Sequence, residues 1–171
     1  MISVVGVGGT AFYGAQGVCV VEDKVIRRVD GREREYLLLR PVRDVRSTVY
    51  IPTDNETLMS AVRPVLTAKE IDAMLAGLSA AELSWIDDDA ERRELCAAVV
   101  KCGDCDRLPR LVGLLCLYRR ERGRGALRAR LSDDRLLKET ERLLCDEFAY
   151  ALGIPAAQVP AYVDDRLADT K

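Results

Sequence analysis

Residues 18–52 read VCVVEDKVIRRVDGREREYLLLRPVRDVRSTVYIP, and this stretch decides the fold of the first half of the chain. Four runs, 18–21, 25–29, 36–39 and 48–51, are rich in β-branched, aromatic and aliphatic residues, the composition of strands. Between the second and third lies Val29-Asp30-Gly31-Arg32, where Asp-Gly suits a tight hairpin because both central positions tolerate positive φ. Gly14 and Gly17 bracket a further turn upstream. Short strands joined by turns predict a small antiparallel barrel or half-barrel rather than parallel βαβ units.

Beyond Pro64 the apolar period becomes helical. Thr67 with Glu70 forms a capping box ahead of a stripe of Ile71, Met74, Leu75 and Leu78. A second helix is predicted over about 84–101, with Leu95, Cys96 and Val99 on one face and Asp87, Asp88 and Asp89 at its positive end, before Gly103 stops it. Asp106 is expected to cap a third helix carrying Leu108, Leu111, Leu115 and Tyr118. Ser132 is expected to cap a fourth, with Leu136, Leu137, Leu143, Leu144 and Phe148 inward, closed by Gly153 and Pro155. A short last helix over about 156–168 completes a bundle. The reading is an α+β chain of two domains, 1–77 strand-rich and 82–171 helical, with the boundary near 77–81.

At 171 residues, 49% hydrophobic and 32% charged, the chain has the balance of a globular protein. No apolar run approaches the roughly eighteen residues of a membrane span, and the first ten residues lack the pattern of an export signal, so a cytoplasmic protein is expected. The six cysteines are then expected to be buried, reduced thiols. Histidine is absent, which removes the commonest general base and transition-metal ligand and weighs against many kinds of enzyme; no cofactor and no small-molecule substrate is expected.

Cys102-Gly-Asp-Cys105 has CxxC spacing, the pattern of a redox pair or half a zinc site, but histidine is missing and the nearest cysteines, Cys96 and Cys116, are not spaced as a second knuckle. A helix-to-helix turn at Gly103-Asp104, with the thiols packed as small hydrophobes, accounts for the motif more simply. Gly6-Val7-Gly8-Gly9 lacks the Lys-Ser/Thr of a phosphate loop. Charge is unevenly placed: residues 92–130 hold eleven Lys or Arg against four Asp or Glu, in a chain of net charge -2. Arg119, Arg120, Arg122, Arg124, Arg128 and Arg130 cluster around an expected loop. Such a block either meets phosphates or forms a solvated basic face. Trp85, the only tryptophan, stands at the entry to a helix as either a packing anchor or an exposed wedge.

Several pieces in order carry a family resemblance: Phe12-Tyr13-Gly14 with Gly17-Val18, Asp30-Gly31 with Glu35-Tyr36-Leu37-Leu38-Leu39, Val49-Tyr50-Ile51-Pro52 with Asp54-Asn55, and Arg63-Pro64-Val65. In the second half Trp85, Arg92, Gly103-Asp104, the leucine-rich 111–115, Arg119-Arg120, Leu143-Leu144 and Glu147-Phe148-Ala149 continue it. The sequence resembles the CarD/CdnL transcription regulators, whose first domain is similar to the polymerase-interacting domain of transcription-repair coupling factors. That resemblance implies a Tudor-like antiparallel half-barrel that pairs with the RNA polymerase β subunit, and an all-α domain that sets a tryptophan in the minor groove at the upstream edge of the promoter bubble, stabilising the open complex. By position it implies polymerase contacts at Arg27, Val29 and Tyr50, and a DNA wedge at Trp85. Some relatives follow this tryptophan with basic residues where this chain has Asp87 and Asp88, so minor-groove and phosphate contact is expected to lean on Arg92, Arg93, Arg119 and Arg120. Two alternatives stay open: an adaptor whose helical domain engages another protein, and a zinc or thiol redox protein using Cys102 and Cys105.

Overall fold

A computed structural model of the chain describes residues 5–124 and 132–169. It separates into two compact units: the described residues through Val65 with Lys101–Gly103, and Leu66–Val100 with the described residues from Asp104 onward. The layout is α+β, a sheet unit followed by a helical one, but the boundary falls at Val65 rather than at 77–81. The helix after Pro64 carries Ile71 and Leu75, both fully buried, into the helical core. Its apolar stripe therefore belongs to the second unit.

The sheet unit contains β1 (Thr10–Tyr13), β2 (Gly17–Val29), β3 (Arg32–Pro41), β4 (Val49–Pro52), a short helix α1 (Glu56–Ser60) and β5 (Val62–Pro64). Among the described residues the sheet is antiparallel and five-stranded, in the order β4-β3-β2-β1-β5. Runs 18–21 and 25–29, expected as separate strands, are one strand, with a register shift between Val21 and Asp23 that lets it bend without breaking its pairing to β3. The turn conforms to the Asp-Gly reading, with φ of 50° at Asp30 and 77° at Gly31. Leu37, Leu39 and Ile51 alternate onto one face with Cys19, Val21, Ala11 and Val62 and form the core of this unit.

The helical unit contains α2 (Ala68–Ala76), α3 (Asp89–Val100), α4 (Leu108–Gly123), α5 (Asp134–Leu152) and α6 (Val159–Asp169), with 3-10 turns at Cys105–Arg107 and Ala156–Gln158. Both halves of the capping box are formed at Thr67 and Glu70. Leu111, Leu114, Leu115, Tyr118, Leu137, Leu144 and Phe148 meet in one core, each large side chain contributing about 1.5 to 3 kcal/mol by burial. Gly153 closes α5 in the left-handed region, φ 67°.

Five further expectations need correction. Residues 84–88 are not helical, and α3 begins only at Asp89. Asp104, not Asp106, caps the turn before α4, its carboxylate accepting from the Asp106 amide at 3.1 Å. Ser132 does not cap α5, because its hydroxyl donates to Asp89 instead, and Leu136 is partly exposed rather than inward. Gly103-Asp104 does form the turn, but Cys102 and Cys105 are exposed instead of packed as hydrophobes; Cys19, Cys96 and Cys116 are buried.

Candidate functional site

On the sheet unit, residues at alternate positions of β2, β3 and β4 project from the face opposite the core. Arg27 pairs with Arg34 across β2 and β3, Val25 with Tyr36, and Tyr36 and Leu38 with Pro52 and Tyr50 across β3 and β4. This register brings Arg27 and Tyr50 together from non-adjacent strands. Arg27 donates to the Tyr50 hydroxyl at 2.7 Å, and its guanidinium carbon stands 4.2 Å from the ring centroid. Tyr50 meets Tyr36 edge-on, centroids 6.3 Å apart at 85°. Arg34 lies over Tyr36 and forks onto Asp54, its Nε 2.9 and 3.0 Å from the two carboxylate oxygens. Hydrogen bonding from Arg34 holds the Asp54 carboxyl below the usual carboxylate range.

The result is a solvent-facing strip of cations interleaved with aromatic rings, with Val29 (43% exposed) beyond Arg27 and Tyr50 itself 39% exposed. Each exposed cation–aromatic contact contributes only about 0.5 to 1 kcal/mol, too little to explain the strip as a source of stability; together with the hydrogen bonds to Tyr50 and Asp54 it biases the arginines toward this arrangement.

On the helical unit, Trp85 lies in the non-helical segment 79–88 and is half-buried, packed against the edge of the core. Ser79 and Glu82 open that segment with reciprocal bonds: the Ser79 amide and hydroxyl donate to the Glu82 carboxylate at 2.6 and 2.7 Å, which holds that carboxyl below its usual range. Arg110 of α4 donates to the Glu82 and Ser84 carbonyls at 2.8 and 2.5 Å. Just past Trp85, the side chain of Ile86 is buried, and Asp88 caps α3 by accepting from the Ala90 and Glu91 amides.

Arg92 is not the surface cation expected from the basic block. It is 1% exposed, and its five N–H donors meet five acceptors. Nε and Nη2 fork onto the buried carboxylate of Asp133 at 2.8 and 3.1 Å, Nη1 reaches the carbonyls of Ile86 and Asp87 at 2.7 and 3.0 Å, and Nη2 also bonds Asp89. Its guanidinium carbon lies 5.1 Å from the Trp85 ring centroid. No donor is left for a phosphate, so the expected DNA contact at Arg92 is withdrawn. The Ser132 hydroxyl, with Arg92 assisting, keeps the Asp89 carboxyl below its usual range.

Arg93, one residue on, is exposed on α3. Arg119 is partly buried and bonded to Asp164 at 2.8 Å, and the more exposed Arg120 stands 3.7 Å from the same carboxylate. Arg122 pairs with Glu141 at 2.9 Å and Arg107 with Glu94 at 3.5 Å. Much of the basic block is therefore matched by acids brought in from elsewhere in the unit. Arg128 and Arg130 lie outside the described residues. Among the described residues no group of three or more Cys, Asp or Glu side chains is placed to hold a metal ion, and no helix is long and apolar enough to cross a membrane.

Two residues that shape this site escaped the sequence reading. Asp133 was passed over for Ser132, and Gly113 was read only as part of an apolar run. A Cβ on Gly113 would fall 2.0 Å from the Glu82 carbonyl oxygen, so segment 79–88 crosses α4 where a side chain cannot fit. The usable signal was a glycine inside an otherwise unbroken helical pattern, which marks a close backbone approach.

These features define a two-unit α+β protein whose sheet carries a preorganised cation–aromatic face and whose helical unit presents an anchored tryptophan. Residues 6–65 match the family described as the CarD-like/TRCF RID domain, and the match encloses the whole sheet from β1 to β5 and ends at Val65, where the sheet unit ends. The sheet unit is a CarD-like/TRCF RID-like domain.

Proposed function

We propose that the chain is a transcription-related protein that docks on RNA polymerase, through its β subunit, by the sheet face bearing Arg27, Val29 and Tyr50, and contacts promoter DNA through the helical unit. The observation that carries this reading is the coincidence of the family match with the exposed Arg27–Tyr50 pair, a cation and ring held in register where the resemblance expects partner contacts. In this reading the first unit is Tudor-like, and the protein acts by binding, without a catalytic step. It favours the open promoter complex by the difference in its affinity for open and closed states. Trp85 is the wedge, and Arg93 and Arg120 are the phosphate contacts best placed for the work.

Arg27→Glu tests the docking face. Reversing the charge removes the Tyr50 partner and sets a carboxylate against a surface selected for a cation, so affinity for the β subunit is expected to fall by about 2 kcal/mol or more, roughly thirtyfold. Full binding by the folded variant in a titration calorimeter would exclude this face. Trp85→Ala tests the wedge. Because Trp85 is only half-buried, its loss is expected to cost about 1 to 2 kcal/mol of stability, below the roughly 3 to 5 of a core aromatic. The open complex should nevertheless decay faster, since the unstacking cost of a few kcal/mol is no longer offset. An unchanged open-complex lifetime would remove Trp85 from the DNA contact.

One observation favours a second reading, an adaptor whose helical unit engages another protein: Arg107, Arg119 and Arg122 already have acidic partners within the unit. DNA binding predicts affinity that falls steeply with salt, whereas an adaptor leaves duplex DNA unbound at any salt.

A further inference from the structure

We infer that Arg92 is a positioning residue for Trp85: from the interior of the helical unit it holds the two peptide carbonyls that follow the tryptophan and fixes the ring at the rim. The inference goes beyond the proposed function by giving a specific task to a residue that touches no partner; that the fixed ring serves DNA contact rests on that proposal.

The geometry is two-sided. Ahead of Trp85, Arg110 grips the Glu82 and Ser84 carbonyls. Behind it, Arg92 grips the Ile86 and Asp87 carbonyls. Segment 79–88 forms neither helix nor strand; the amide of Leu83 donates to the Ser79 carbonyl at 3.1 Å ahead of the ring, and the carbonyls on either side of Trp85 are held by side chains arriving from α3 and α4. Arg92 also reaches the ring, its guanidinium carbon 5.1 Å from the centroid.

What holds Arg92 is Asp133, whose side chain is wholly inaccessible. Asp133 occupies the N-cap position of α5, yet its side chain makes no capping bond there. The carboxylate is committed to Arg92 instead, which links the start of α5 to the placement of the tryptophan. A planar five-donor fork is required for this arrangement. An ammonium is a compact point charge with three donors and cannot span Asp133, Asp89 and two diverging carbonyls together.

The chain's single tryptophan makes the test direct. Two full-length variants are compared: Arg92→Lys, which keeps the buried charge balance, and the double replacement Arg92→Met with Asp133→Leu, which removes the pair as a unit and leaves an apolar interior of similar volume. Thermal unfolding first shows which variants are folded. The readouts are then acrylamide quenching and anisotropy of Trp85 in the free protein, and affinity for a duplex carrying a short unpaired segment. In any folded variant Trp85 is expected to quench more readily and tumble more freely, and duplex affinity to fall about tenfold, the equivalent of losing part of a wedge contact. Wild-type quenching and anisotropy in a folded variant overturn the inference. Trp85→Ala on the same duplex separates the two ideas: if it loses no affinity while the Arg92 variants still loosen the ring, the positioning role stands and the DNA reading fails.

Discussion

Replacing Arg92 alone with methionine is expected to destabilise the helical unit by about 3 to 5 kcal/mol, because it leaves the Asp133 carboxylate buried without its counter-charge. The size follows from burial. Arg92 and Asp133 are both inaccessible, whereas the Arg119–Asp164 pair is partly open to water and falls in the class of surface pairs worth about 0 to 1 kcal/mol. Urea unfolding of the full chain followed by Trp85 fluorescence reads the effect, since the only tryptophan lies in the helical unit. Adding Asp133→Leu is expected to recover most of the loss, because an apolar pair needs no counter-charge. A loss under about 1 kcal/mol for the single variant would mean that water reaches Asp133 and that the pair is not closed.

Elements stabilised by near neighbours were legible in the sequence. The β2–β3 turn rests on Asp30 and Gly31, the start of α2 on Thr67 and Glu70, and the end of α5 on Gly153, each signal lying within three residues of the feature it sets. What was missed depends on distant partners. β1 and β5 are four and three residues long and exist through pairing with each other and, for β1, with β2; strands so short carry no period. The start of α3 was placed too early because 84–88 take their conformation from Arg92 and Arg110 rather than from local propensity.

The same logic explains the misreading of the basic block. A count of charges along the chain cannot see that Arg92 meets Asp133 forty-one residues away, or that Arg119 meets Asp164 forty-five away. Among the described residues of the helical unit, Arg92, Arg107, Arg119 and Arg122 are committed to acidic partners that the sequence places far away or in other elements. The docking pair shows the converse. Arg27 and Tyr50 are twenty-three residues apart and only resemblance placed them in one set, yet the register of three strands brings them into hydrogen-bond contact.

Gly113→Ala is expected to destabilise the helical unit by up to about 2 kcal/mol, although helix propensity alone argues the other way. Alanine in a helix interior is favoured over glycine by about 1 kcal/mol. Against this, the added Cβ would lie 2.0 Å from the Glu82 carbonyl oxygen, 2.7 Å from its carbonyl carbon and 3.3 Å from the Leu83 nitrogen. These are backbone atoms, so no side-chain rotation relieves the overlap; α4 or segment 79–88 must move by roughly 1 Å, and overpacking of this kind costs about 1 to 3 kcal/mol. Movement of the segment also strains the bonds from Arg110 to the Glu82 and Ser84 carbonyls, so Trp85 should report it as a shift in emission. Gly123→Ala is the control, at the end of the same helix with nothing within 4 Å of its Cβ; it is expected to be neutral or stabilising by up to about 1 kcal/mol. If both substitutions stabilise the protein and leave the emission of Trp85 unchanged, segment 79–88 does not lie against α4 in solution, and the anchoring of Trp85 from that side is lost with it.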